Sequence, residues 1–264
     1  MEMAFFWTLI TLSAIFVGMG KGGLPVVATL GVPSLSLIMS PVAAAGLLLP
    51  VYIVSDIFAL SAYRRDFNRE VLKIGIIGMS FGVIIGGMTA HIVVEWMVTA
   101  LIGMMGFIFA VNQLFFKKSD NEIPQTINNN KGYFWCTIAG FTSFISHIGG
   151  PPWQIFTIPL QMKKTVFVGT SVIVFSYCNA IKLIPYMWLG QINIESVKIS
   201  LFMMFPASLA VFAGIRIVKI IPEDVFFKII TWALMSISIK LKLHFTTVLF
   251  NFLGSLTCSI ALWK

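Results

Sequence analysis

Charge is scarce in this chain. Only 11% of its 264 residues are Asp, Glu, Lys or Arg, against 58% hydrophobic, and the mean hydropathy is +0.94. That balance excludes an ordinary soluble globular domain and points to a membrane protein with several passes. Long polar stretches are lacking too. The longest, Lys117 to Lys131, is the size of one connecting loop, so residues 1–264 are read as a single membrane domain. Cysteine is rare: Cys136 and Cys178 lie in apolar runs and Cys258 near the end, with no disulfide or metal-ligand spacing. Catalytic groupings are absent as well, with no supported Ser-His-Asp order, no His-Glu-x-x-His, no paired intramembrane aspartates and no Walker loop. The chain is therefore not read as an enzyme, no cofactor or metal is expected, and ATP-driven transport by this chain alone is disfavoured. The N-terminus has Glu2 where a signal peptide carries basic residues and is expected to stay on the mature protein.

What is present is a series of apolar runs. Spans are expected near 42–62, 71–91, 95–116, 165–188, 197–217 and 225–243, each long enough for a hydrocarbon core of roughly 30 Å. Segments 4–40 and 132–162 differ. Each has two apolar arms joined at a Gly/Pro-rich break, with a short, proline-bearing second arm, and each is read as a broken hairpin entering and leaving on one side. The fold class is thus an all-α polytopic membrane protein of about 8 spans. Residues 245–263 are left as one more span or a membrane-adsorbed end.

The formal charge of +8 is spread through short loops, not gathered in a patch. The partners expected are therefore the lipid bilayer and a small anion, with no nucleic acid. Arg64, Arg65, Arg69 and Lys73, then Lys117, Lys118 and Lys131, Lys163 and Lys164, and Arg216, Lys219 and Lys228 mark the cytoplasmic side, while the connections near 40, 91–95 and 189–196 carry no Lys or Arg. The halves, about 4–116 and 132–243 with 117–131 as a cytoplasmic linker, resemble each other at a displacement of about 125 residues. Gly22-Gly23-Leu24-Pro25 matches Gly149-Gly150-Pro151-Pro152, and Asn68, Glu70 and Lys73 match Asn193, Glu195 and Lys198. A hairpin plus three crossings is an odd number, so the second repeat is expected to be inverted relative to the first.

Ionisable groups at membrane depth define the candidate site. Lys21 sits in Gly18-Met19-Gly20-Lys21-Gly22-Gly23-Leu24-Pro25 between two apolar runs, where charge is costly and usually functional. Each break frees backbone amides at the start of a short arm, a ready anion cradle. The first break adds Lys21 to Gly20, Gly22 and Gly23; the second adds His147 and Gln154 to Gly149 and Gly150. The alternative is that the glycines only permit close helix packing. Asp56 lies mid-span, with Asn179 at the matching place in the repeat and Lys182 three residues further on the same helix face. Two lysines and one carboxylate leave one positive charge for a substrate, unless Asp56 and Lys182 form a structural ion pair remote from any ligand. His147 is either a proton acceptor near neutral pH or a hydrogen-bonded packing residue. His91 and His244 fall near loops or ends and are read as solvated.

At these residues the sequence resembles the sulfite exporter TauE/SafE family, over about 4 to 243. It is most similar to a branch with Lys-Gly-Gly in the first break, followed by Pro50, Asp56 and Tyr63-Arg64-Arg65. The second half matches through Gly140-Phe141-Thr142-Ser143, His147-Ile148-Gly149-Gly150-Pro151-Pro152, Lys164-Thr165-Val166, Gly169-Thr170, Asn179, Lys182-Leu183-Ile184-Pro185-Tyr186 and Leu189-Gly190-Gln191. The resemblance implies export or exchange of small anions such as sulfite or organosulfonates by a secondary transporter. The expected location is the cell membrane, as in a bacterial inner membrane. An anion channel of the same architecture and a non-transporting membrane scaffold subunit are the other readings.

Overall fold

A computed structural model describes residues 2–92 and 125–232 of the chain. The span expected at 95–116, the linker up to 124, the greater part of the span expected at 225–243, His244, Cys258 and the tail at 245–263 lie outside the described residues. Those described form helices and connecting turns without strands. In order they are α1 (Glu2–Lys21), two short pieces α2 (Pro25–Ala28) and α3 (Gly31–Leu35), α4 (Pro41–Tyr63), α5 (Arg69–Thr89), α6 (Asn129–Ser146) and α7 (Gly150–Thr157). A single 3-10 turn, Ile158–Leu160, leads into α8 (Lys164–Trp188) and α9 (Ile194–Ile220), and α10 occupies 223–232.

Five of these, α1, α4, α5, α8 and α9, are long and apolar enough to cross a membrane. Four coincide with expected spans. The fifth is the first hairpin arm, whose 20 residues rise about 30 Å, longer than a re-entrant arm requires. The chain then doubles back: α3 returns along α1, with the position of a Gly31 Cβ 3.1 Å from Val17 Cγ2. Many large apolar side chains point outward, among them Phe81, Met88, Phe205 and Phe212, as lipid-facing positions should.

Asparagine starts three of the long helices. Asn68 accepts from the Glu70 and Val71 amides, Asn128 from Lys131, and Asn193 forms a capping box with Ser196, meeting amides that have no intrahelical partner. The residues matched as Asn68 and Asn193 in the sequence therefore do the same job at the start of α5 and α9.

Small residues let helices approach closely. Helix α6 runs in the same direction as α5, with Gly78 against Cys136 and Gly86 against Phe144. Helix α1 runs in the same direction as α9, with Trp7 against Phe202 and Gly22 against Gly214. Helices α4 and α8 run oppositely, Gly46 meeting Gln191 near one end and Tyr63 meeting Gly169 near the other. The basic loops gather at that second end. There the Asn68 amide donates to Thr170 Oγ1 at 2.9 Å, and Lys164 Nζ donates to the Val218 carbonyl at 2.7 Å and the Ile221 carbonyl at 2.5 Å. At the opposite end Ser200 Oγ donates to the Leu47 carbonyl.

Candidate functional site

The two breaks meet α4 and α8 around a cavity of about 70 Å³, room enough for several water molecules. Its polar wall includes Lys21, Tyr52, His147 and Asn179, its small-residue wall Gly20, Gly23 and Gly150, and its apolar wall Phe167, Val172 and Phe175. Residues more than a hundred positions apart in sequence thus share one chamber.

The first break is built on a helix end. Helix α1 closes in a Schellman turn, with the Gly23 amide donating to the Gly20 carbonyl and the Leu24 amide to the Met19 carbonyl. Gly23 has φ +112, which glycine adopts without steric penalty. These bonds correct the expectation that the first break presents free amides to an anion: Gly22, Gly23 and Leu24 are already donating, and Pro25 has no N–H. Tyr63 Oη, from the end of α4, donates to the Gly22 carbonyl at 2.9 Å and holds the turn.

Lys21 is the last residue of α1 and is 7% exposed. Its ammonium lies 2.6 Å from Asp56 Oδ1 and 5.2 Å from the centroid of the Tyr52 ring, within cation–π range. Asp56 takes two more donors from α8, Ser176 Oγ at 2.7 Å on Oδ1 and Asn179 Nδ2 at 2.8 Å on Oδ2. A buried carboxylate with one cation and two hydrogen bonds is well compensated. The pairing of Asp56 with Lys182 considered from sequence is not formed, because the carboxylate is taken by Lys21.

The second break ends α6 on His147, at φ 55 in the left-handed region, a conformation uncommon for a residue with a Cβ. His147 Nδ1 lies 3.0 Å from Lys182 Nζ and Nε2 lies 3.1 Å from the Ala45 carbonyl. Since an ammonium only donates and a carbonyl only accepts, these partners assign a neutral ring with its proton on Nε2. The ring stacks on Tyr52, centroids 4.7 Å apart at 20°. Both nitrogens are engaged, so the geometry favours the hydrogen-bonded role for His147 over the proton acceptor. Lys182 is fully buried; its ammonium also donates to the Ser143 carbonyl and Oγ, each at 3.1 Å. None of these acceptors carries a negative charge.

Not all expected site residues face the cavity. Asp56 and Lys182 stand behind its wall, holding Lys21 and His147 respectively. Gly22 and Gly149 serve packing: a Cβ on Gly22 would stand 2.5 Å from the Val211 carbonyl oxygen, and one on Gly149 would stand 2.6 Å from that of Ala139. Gln154 lies behind Gly150, with Oε1 buried and lacking a partner among the described residues. Pro151 and Pro152 carry no N–H, so α7 offers fewer amides than its position suggested. Tyr52, Ser143 and Ser176 were not anticipated from the sequence. The signal was helical spacing, since Tyr52 precedes Asp56 by four residues and Ser176 precedes Asn179 by three, which places each pair on one helix face.

No curated protein and no solved structure matches the chain. The family model described as Sulfite exporter TauE/SafE matches residues 4–241, nearly the whole of the chain. On that match this multi-pass membrane protein belongs to the TauE/SafE sulfite exporter family of transporters.

Proposed function

We propose that the protein is a secondary carrier for a small monoanion of the sulfite or organosulfonate type, bound in the chamber between the two broken hairpins. The observation that carries this reading is the charge count around the chamber. Lys21 and Asp56 neutralise each other, His147 is neutral, and Lys182 keeps a positive charge that only neutral acceptors surround. An uncompensated buried cation is costly, and a bound monoanion would offset it. The surplus belongs to Lys182, with Lys21 as part of the wall.

The directions of the helices support an inverted-repeat arrangement. Helix α4 and its counterpart α8 run oppositely, and the partners of α1 and α6 are α9 and α5, counterparts in turn. In such a carrier the two hairpins expose one site alternately to each face. With the basic loops inside, export of one negative charge gains about 2.3 kcal/mol per 100 mV. That is a concentration ratio of about 50 without ATP.

Uptake into proteoliposomes of both orientations, against a panel of sulfite, sulfonates and unrelated small anions, tests the reading with Lys182→Met alongside. Saturable uptake with counterflow by the wild type, and its loss in the variant, is expected. Equal movement of every anion by both proteins would sink the proposal, and uptake without saturation or counterflow would mark a channel.

A further inference from the structure

Each glycine of the two breaks except one has a reason internal to the fold. A Cβ on Gly20 would collide with Ala28, one on Gly22 with the Val211 carbonyl and Gly214, and one on Gly149 with the Ala139 carbonyl. Gly23 is required by its positive φ. Gly150 has neither constraint. It opens α7 with φ outside the left-handed region, and the atoms nearest to a Cβ built on it are Gln154 Nε2 at 3.8 Å and Thr29 Cγ2 at 4.0 Å, ordinary contact distances. Pro151 follows Gly150, and before a proline a helical residue with a Cβ is mildly disfavoured. Contacts with other segments would therefore accept alanine at 150, and only the following proline opposes it.

An added methyl would stand at the edge of the chamber, between Gln154 Nε2 and Thr29 Cγ2, because Gly150 and Thr29 line it together with Lys21, His147 and Asn179. Thr29 belongs to the first hairpin and Gly150 to the second. The gap between them is where the two hairpins face each other across the site.

We propose that Gly150 determines the size of anion the chamber accepts, its missing side chain forming part of the space that the ligand fills. The inference rests on the anion-site reading above and adds to it the position that separates one anion from a slightly larger one. In a chamber of about 70 Å³ a methyl group is a large fraction of the room, so alanine at 150 should exclude a ligand that is longer by about one methylene.

The test uses the full chain in proteoliposomes with methanesulfonate and ethanesulfonate as probes, comparing wild type with Gly150→Ala. The ethanesulfonate-to-methanesulfonate KM ratio is expected to rise about tenfold or more, the range seen when a pocket discriminates one methylene. The variant should melt only slightly lower than wild type in detergent, by the cost of a Cβ before Pro151. An unchanged KM ratio, or a variant that fails to fold or melts as low as Gly149→Ala, would overturn the proposal, because the position would then serve packing or movement. Gly149→Ala is the control: it should lose stability whichever anion is present. The anion-site reading fails separately, before any variant is made, if neither sulfonate nor any other anion in the panel is transported by the wild type or raises its melting temperature.

Discussion

The first break ends its helix on a Schellman turn with glycine at the left-handed position, whereas the second places His147 there and holds the ring with Lys182 and Ala45. The cation of the first is met by a carboxylate, and the cation behind the second by a carbonyl, a hydroxyl and an imidazole. The first break is thus electrically closed and the second open. The same architectural position, used twice, separates into a neutral wall and a charged one, which is what a site for a single anion needs.

Breaking the closed side should have the largest effect. Asp56→Ala leaves Lys21 buried without its counter-ion and is expected to lower stability by about 3–5 kcal/mol. Adding Lys21→Met should recover most of that loss, as a double-mutant cycle by denaturant unfolding in detergent would read. On the open side, Lys182→Met is expected to weaken anion binding by about 2 kcal/mol, the scale of a charge acting through the wall at several ångströms, while changing ligand-free stability less than Asp56→Ala does. Titrating the melting temperature with methanesulfonate measures this, and a larger loss of affinity from Lys21→Met would reverse the assignment of the two walls.

The backbone contribution at His147 is smaller. His147→Gly removes the steric cost of the left-handed conformation, so it should be about 1–2 kcal/mol more stable than His147→Ala, both lacking the ring. Equal stability would mean that the turn relaxes once the ring is gone. The finest comparison is between the tyrosine clamps, because Tyr63 holds the first break at the Gly22 carbonyl and Tyr186 holds the second at the Phe144 carbonyl. Tyr63→Phe and Tyr186→Phe should each cost about 1 kcal/mol, with faster amide exchange confined to 22–24 in one and 144–147 in the other. Exchange that rose at both sites in either variant would show the two hairpins opening together.

Much of this architecture was legible in the sequence because bilayer crossing and helix breaking leave local marks. The apolar runs at 42–62 and 165–188 fall on α4 and α8 to within a few residues, and Asn68 and Asn193 announced two helix starts through their capping chemistry. The Gly/Pro clusters located both breaks. Illegible was everything decided by distance across the fold. Asp56 had two lysines to choose from, and only the end of α1 arriving beside α4 selects Lys21. Five glycines looked alike in sequence, yet three meet backbone or Cβ atoms of another segment, one is set by φ, and Gly150 has neither constraint where it lines the chamber. Amides that the first break seemed to free were captured by the Schellman turn, a bond pattern that depends on how the chain leaves the helix.

Asp56 and Asn179 carry a consequence for what kind of chain can hold this pair. They stand 123 residues apart, the same displacement that separates the starts of α4 and α8 at 41 and 164, so they occupy the corresponding position on each of the two helices. In a symmetric pair of identical halves that position would face its own copy. Two aspartates at hydrogen-bonding distance would repel or have to share a proton, and two asparagines would leave Lys21 without a counter-ion. Only an unlike pair satisfies both demands, and two copies of one gene product cannot supply it. A single polypeptide carrying both helices can hold the carboxamide–carboxylate pair, and with it a site of unequal walls.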